Sequence, residues 1–221
     1  MLGQSISRNS LLLGVFALAT TAFVAGTYLS TQEMIKDNIR KAEEKALLEI
    51  IPKSRHDNSM LDDIFKVSDV EQLGLREQKN IYIARQNQQP VAVIVPATAR
   101  DGYTGDIDII IGINLDGSIA GVRVLSHRET PGLGDRVETK KSDWVFGFDN
   151  ASLNRLQDDQ WAVKKDGGEF DSFTGATITP RAVINAVHRG LQFFEQHRDQ
   201  ILAPRSAEPA LDTEQQENSR G

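Results

Sequence analysis

Residues Asp171-Ser172-Phe173-Thr174-Gly175-Ala176-Thr177-Ile178-Thr179-Pro180 pack three threonines, a glycine and an alanine directly before a helix start. Thr179 has the residue type of an N-cap, and Pro180 suits the first helical position, where its missing N–H is no loss. Gly175 and Ala176 let backbone approach a ligand closely. The helix start behind them offers free N–H groups and a positive dipole end, which favour an anion such as a phosphate near Thr177. On spacing alone, the same residues also serve as an ordinary cap behind a tight turn.

Downstream, Val183, Val187, Leu191 and Phe194 form an apolar stripe that predicts a closing helix to about Leu202. Upstream, strand signals recur at Ile81–Arg85, Val91–Val95, Asp106–Ile113 and Ser118–Leu125. Asn114-Leu115-Asp116-Gly117 reads as a hairpin turn between the last two. A Gly-rich loop, Thr130-Pro131-Gly132-Leu133-Gly134, follows, then a short aromatic segment at Trp144–Phe148. Trp161–Lys164 predicts a further strand, ended by Asp166-Gly167-Gly168. Residues 53–79 are mixed and polar, with a short apolar turn around Leu61 to Val67. The class is α+β, with an antiparallel strand-rich core.

The N-terminus differs in composition. The run from Leu11 to Leu29 carries no charge. As a helix it spans about 29 Å, close to the roughly 30 Å of a bilayer core. A membrane anchor is the reading favoured over a signal peptide, because the run continues past a small-residue cleavage site near Ala22. Ile35, Ile39, Ala42, Ala46 and Ile50 then recur at helical spacing, and Pro52 stops that helix. The chain thus divides into an N-terminal segment (1–10), a transmembrane helix (11–29) and an amphipathic exit helix (31–52). The main domain has an N-terminal part (53–99) and a site-bearing part (100–203), followed by a tail (204–221) expected to be disordered. Arg8 precedes the span, whereas Lys36, Arg40, Lys41 and Lys45 follow it, so the charge count alone favours a cytoplasmic main domain.

Composition removes several classes. With 25 Lys+Arg against 31 Asp+Glu and no basic block, a nucleic-acid partner is not expected. The absence of cysteine excludes thiol nucleophiles, disulfides and thiolate-held iron–sulfur clusters. His56, His188 and His197 lie too far apart in sequence to suggest a metal site, and no metal is expected. His127, Lys165, Trp144 and Trp161 are weaker candidates for contact with a bound group.

The pattern Asp-x-x-Thr-Gly-Ala-Thr at 171–177 resembles the flavinylation motif of FMN-binding domains. These occur in the G subunit of the Rnf (Rsx) electron-transport complex and in the C subunit of the sodium-pumping NADH:quinone oxidoreductase. The loop Glu129-Thr130-Pro131-Gly132-Leu133-Gly134, the segment Asp101-Gly102-Tyr103-Thr104-Gly105 and the segment Trp161–Gly168 are also similar to the Rnf protein. So is the layout of one anchor followed by one extracytoplasmic FMN-binding domain, over essentially residues 1–203.

The resemblance implies covalent FMN, joined by a phosphoester to Thr177 and installed by a flavin transferase from FAD with magnesium. That enzyme would recognise Asp171, Gly175 and Ala176. Thr174, Glu129, Thr130, Gly132, Leu133, Gly134 and Lys164 are the further candidate cofactor-binding residues. No catalytic residue is assigned, since the resemblance implies an electron relay within a redox-driven, ion-translocating oxidoreductase rather than a chain active alone. It implies the other members of the complex as partners, the bacterial inner membrane as location, a single pass and a periplasmic main domain, against the lysine count. The alternatives are the C subunit of the sodium pump or a non-redox anchor protein.

Overall fold

The computed structural model describes residues 2–67 and 71–203. The tail at 204–221, expected to be disordered, lies outside these residues. The first element, α1 (Leu2–Ile50), is one uninterrupted helix, where the sequence predicts two, at 11–29 and 31–52. The physical reason lies at the expected junction. Thr27 Oγ1 donates to the Phe23 carbonyl at 2.9 Å, Ser30 Oγ to Thr27 at 3.0 Å and Thr31 Oγ1 to Thr27 at 2.9 Å. The hydroxyls therefore bond back into the helix and do not cap a new one. This helix is long and apolar enough to cross a membrane. Leu11, Phe16, Leu18 and Phe23 are among many large apolar side chains exposed along it.

From Ile50 onward the described residues form a separate compact unit. Five strands follow one another as β1 (Ile64–Val67), β2 (Lys79–Gln86), β3 (Gln89–Ala99), β4 (Ile107–Asn114) and β5 (Ile119–Ser126). They pair in sequence order, all antiparallel. Asn87 (φ 50°) and Gln88 (φ 64°) give the β2–β3 turn the two left-handed residues that a twisted hairpin demands. At the β4–β5 turn, Asp116 Oδ1 accepts from Ser118 N at 2.9 Å and from Ser118 Oγ at 2.6 Å. Those bonds hold the Asp116 carboxyl below its usual range. The strand at 64–67 stands where the sequence suggests only an apolar turn. It is four residues long, and its pairing with β2 defines it.

The closing helix α2 (Ile178–Leu202) packs on β3 and β4. Val183, Val187, Leu191 and Phe194 are buried, as their spacing predicts, against a core that includes Ile109, Ile111 and Ile113. Gly190 permits the approach: a Cβ there would lie 2.4 Å from Ile111 Cδ1. Gly190→Val should therefore destabilise the domain by about 3 kcal/mol. A thermal melt checks it, and an unchanged midpoint would contradict this packing. On the other face of the sheet, Ile50 lies against Gly112, where a Cβ would be 2.2 Å from Ile50 Cγ2.

Between β5 and α2 the chain has only short 3-10 turns, at Gly134–Val137, Trp144–Phe148, Asp158–Gln160 and Lys164–Asp166. The strand predicted at Trp161–Lys164 is absent. Gly167 (φ 94°) closes a turn, Lys164 N donates to Phe170 O at 2.7 Å, and Val163 makes one isolated bridge to Phe170. Aromatic packing fixes this region. Ring centroids lie 4.7 Å apart for Phe148–Phe170, 5.5 Å for Trp161–Phe170 and 5.1 Å for Trp144–Phe173. His188 stacks on Trp161 at 5.0 Å.

Burial pushes the His188 imidazole below its ordinary value of 6.5, opposed by the Asp158 carboxylate at 3.3 Å. The fold thus favours neutral His188. Its contribution is complete above pH 6.5 and is lost as pH falls from there through the lowered folded value. Melting midpoints from about pH 7.5 down to 5 should fall more steeply for the native chain than for His188→Gln. Parallel curves would refute this assignment.

Candidate functional site

The segment 171–180 crosses from an exposed strand-like stretch into α2. Phe173 and Ala176 bracket a tight turn: Ala176 N donates to Phe173 O at 3.1 Å, with Thr174 exposed and Gly175 at φ 82°. Only glycine takes that backbone conformation readily. Helix α2 begins at Ile178, so Thr177 is the N-cap, and Pro180 lies two residues beyond the first helical position. The cap expected of Thr179 does not form. Its side chain is 1% exposed, and its hydroxyl donates to Glu129 Oε2. Thr177 makes no side-chain capping bond. It is half-buried and lines a cavity of about 330 Å³.

That cavity gathers most of the sequence candidates. Gly175, Ala176 and Thr177 form one wall, and Glu129, Thr130, Leu133 and Gly134 another. Three further lining residues are not among the expected cofactor-binding residues: Tyr103, Ile178 and Thr179. The signal for Ile178 and Thr179 is their adjacency to the motif. Tyr103 stands in the 101–105 segment whose similarity to the Rnf protein is the signal that could have found it. The loop wall turns on itself, since Leu133 N and Gly134 N both donate to Thr130 O at 3.1 Å.

Gly132 (φ 80°) is exposed and outside the cavity lining; its N–H donates to the buried Asp135 Oδ1 at 2.8 Å. His127 is tied elsewhere. Its Nδ1 accepts from Glu129 N at 3.0 Å, so Nε2 carries the proton toward Glu138 Oε1 at 2.7 Å.

Asp171 and Lys164 border a second cavity, of about 550 Å³, with Trp144 and Phe173. Lys164 Nζ lies 2.9 Å from Asp171 Oδ1, and this bond pushes the Lys164 ammonium above its usual value. Both side chains are largely exposed, so the pair adds little to stability. Trp144 Nε1 donates to the Asp171 carbonyl at 2.7 Å, which fixes the start of the motif. Lys165 is exposed, and Trp161 is buried in the aromatic core.

The donor set at Thr177 fits a flat apolar ring with an anionic tail. Leu133 (43% exposed) and Ile178 (45% exposed) present apolar surface at the cavity. The first-turn amides of Ile178 and Thr179 have no intrahelical acceptor. The volume lies at the lower end of small-molecule sites, roughly 300–1,000 Å³. A flavin mononucleotide has this composition, with a phosphate to meet the amides and a ring to meet the apolar wall.

Comparisons with known proteins agree in scope. A family model described as FMN-binding domain matches residues 102–192, and one described as RnfG N-terminal region matches residues 1–50. The G subunit of the ion-translocating oxidoreductase complex of Pseudomonas aeruginosa is 48% identical over 92% of this chain and 95% of its own length. The protein of the same name from Shewanella loihica is 46% identical over 90% of this chain and 94% of its own. A solved structure, that of the C subunit of the Na(+)-translocating NADH-quinone reductase of Parabacteroides distasonis, has a TM-score of 0.44 and 22% identity, covering 63% of this chain and 70% of that one. That likeness is too loose to argue from. With an FMN-binding domain matched behind the anchor helix and relatives spanning nearly the whole length, the chain belongs to the family of G subunits of ion-translocating oxidoreductase complexes.

Proposed function

We propose that this chain is the flavin-carrying electron-transfer member of an Rnf-type, redox-driven ion translocase, with FMN joined covalently to Thr177. The single observation that carries the attachment site is the Thr177 hydroxyl. It belongs to a residue that lines the cavity at the start of α2 and is not engaged in capping. A threonine oxygen is a poor nucleophile unaided, so a flavin transferase makes the bond. In that step the Thr177 oxygen–phosphorus bond replaces the phosphoanhydride bond of FAD. AMP leaves, and the hydroxyl proton passes to the transferase. Asp171, exposed at the head of the motif, is where that enzyme reads the chain.

In the loaded protein the Ile178 and Thr179 amides hold the phosphate, and Gly175 and Ala176 allow it to sit close to backbone. Leu133 and Ile178 cover ring surface and exclude water. Thr130 and Gly134 shape the opposite wall. When bound, the flavin supplies reversible electron uptake and release, and the protein sets its access and surroundings. In this reading α1 spans the inner membrane once, with the main domain periplasmic and the other members of the complex beside it. A translocated domain tolerates the lysines that follow the span, because long segments cross largely regardless of charge.

Intact mass of the purified chain tests the reading. The expected result is one FMN-sized adduct, on the peptide containing Thr177, present only when the transferase is co-expressed. An adduct-free chain from transferase-competent cells would overturn it.

A further inference from the structure

Glu129 is buried, at 4% exposure, yet it is charged in type and borders the cavity. Both of its carboxylate oxygens are already occupied. Oε1 accepts from Thr104 N at 3.0 Å and from Thr104 Oγ1 at 3.1 Å, and Oε2 accepts from the Thr179 hydroxyl. Gly134 packs against the same point: a Cβ there would lie 2.8 Å from Glu129 Oε2 and 2.8 Å from Thr179 Oγ1. Three stretches far apart in sequence thus meet at one buried carboxylate. They are the β3–β4 loop, the 129–134 loop and the first turn of α2.

Three of the roughly four acceptor positions of this carboxyl group are thus taken up within the protein, so most of its hydrogen bonding is structural. The β3–β4 loop is otherwise held by the Arg76–Asp106 ion pair at 2.8 Å and by the close packing of Gly102 on the Gly105 carbonyl. Gly102 and Gly105 (φ 134°) flank its tip, and Tyr103 is 66% exposed with no side-chain hydrogen bond among the described residues.

We propose that Glu129 is a positioning residue: it latches the Tyr103–Thr104 segment to the start of α2 and thereby holds Tyr103 as a wall of the cavity that Thr177 shares. The latch stands on the geometry alone. That Tyr103 then lies against a flavin rests on the function proposed above, and the two are tested by separate measurements.

The first measurement is hydrogen exchange on the full-length chain in detergent, made without flavin transferase. In Glu129→Ala the Thr104 amide loses its acceptor, and the peptide covering 101–106 should exchange about tenfold to a hundredfold faster. Amides of β4 should keep their native rates. Thr179→Val removes one strut only, keeps side-chain shape, and should loosen the same peptide less. It serves as the second variant should Glu129→Ala fold poorly. Unchanged exchange at 101–106 in both variants, or uniform loosening of the whole domain, would overturn the latch.

The second measurement is flavin emission from the loaded chain, because a tyrosine against the ring quenches it by electron transfer. Glu129→Ala should brighten the native chain severalfold but leave a Tyr103→Leu background unchanged. An equal rise in both backgrounds would overturn the action through Tyr103. A native chain lacking the adduct by mass would overturn the flavin reading, while the exchange result would still decide the latch.

Discussion

Thr177→Ala is expected to abolish the flavin adduct completely while leaving the domain folded. The expectation follows from what surrounds the three threonines of the 171–180 segment. Thr179 is 1% exposed and bonded to Glu129, so its oxygen is not available to a transferase. Thr174 sits on the exposed turn, outside the residues that line the Thr177 cavity. Only Thr177 combines a side chain without a capping bond, a place at the helix N-terminus and a wall of the cavity. Because that side chain makes no capping bond, its truncation should shift stability by no more than about 0.5 kcal/mol. The measurement is intact mass with peptide mapping, beside a thermal melt. Thr174→Ala should retain the full adduct. An adduct surviving in Thr177→Ala would move the attachment site, and a collapsed melt would make the loss a folding defect.

The second large effect is expected at Gly168. A Cβ there would fall 2.1 Å from the Ala162 carbonyl oxygen, 2.3 Å from its carbon and 2.6 Å from its Cα. These are backbone atoms, so no rotamer change relieves the clash. The turn they belong to is tightly bonded: Gly168 N donates to Val163 O at 3.2 Å and Phe170 N to Ala162 O at 3.1 Å. Opening it drags Phe170 away from Phe148 and Trp161, the aromatic packing that replaces regular structure in this region. Gly168→Ala should therefore destabilise the domain by about 4 kcal/mol or more. Gly147→Ala is the control, since nothing lies within 4 Å of the added atom. Chemical denaturation of the two variants compares them, and equal midpoints would refute the argument.

How much is legible in the sequence depends on whether local pattern or distant partners set the structure. β2 to β5 can be located because β-branched runs and a recognisable turn residue are local signals. The stripe on α2 is equally plain. β1 escapes because four residues carry no period of their own, and pairing with β2 makes the strand. The predicted strand at Trp161–Lys164 fails because a buried apolar run also suits a turn pinned by aromatic rings. The break expected in α1 follows a change in composition, whereas the backbone responds to hydrogen bonding, which the hydroxyls of Thr27, Ser30 and Thr31 leave intact. At the site, Gly175 and Thr177 are readable from the motif. The bond from Thr179 to Glu129 is not, because fifty residues separate the partners.

The order of the strands bears on when this protein would become a substrate for the proposed modification. Every pairing in the sheet joins neighbours along the chain, so each hairpin closes quickly without waiting for a distant segment. The Thr177 cavity has the opposite timing. Its walls come from Tyr103, from the 129–134 loop and from the first turn of α2, the last helix among the described residues. The sheet is thus a platform completed first, and the cavity is completed only once α2 has followed it. The proposed loading would then depend on folding: a chain that has not docked α2 lacks the pocket in which the cofactor would be kept.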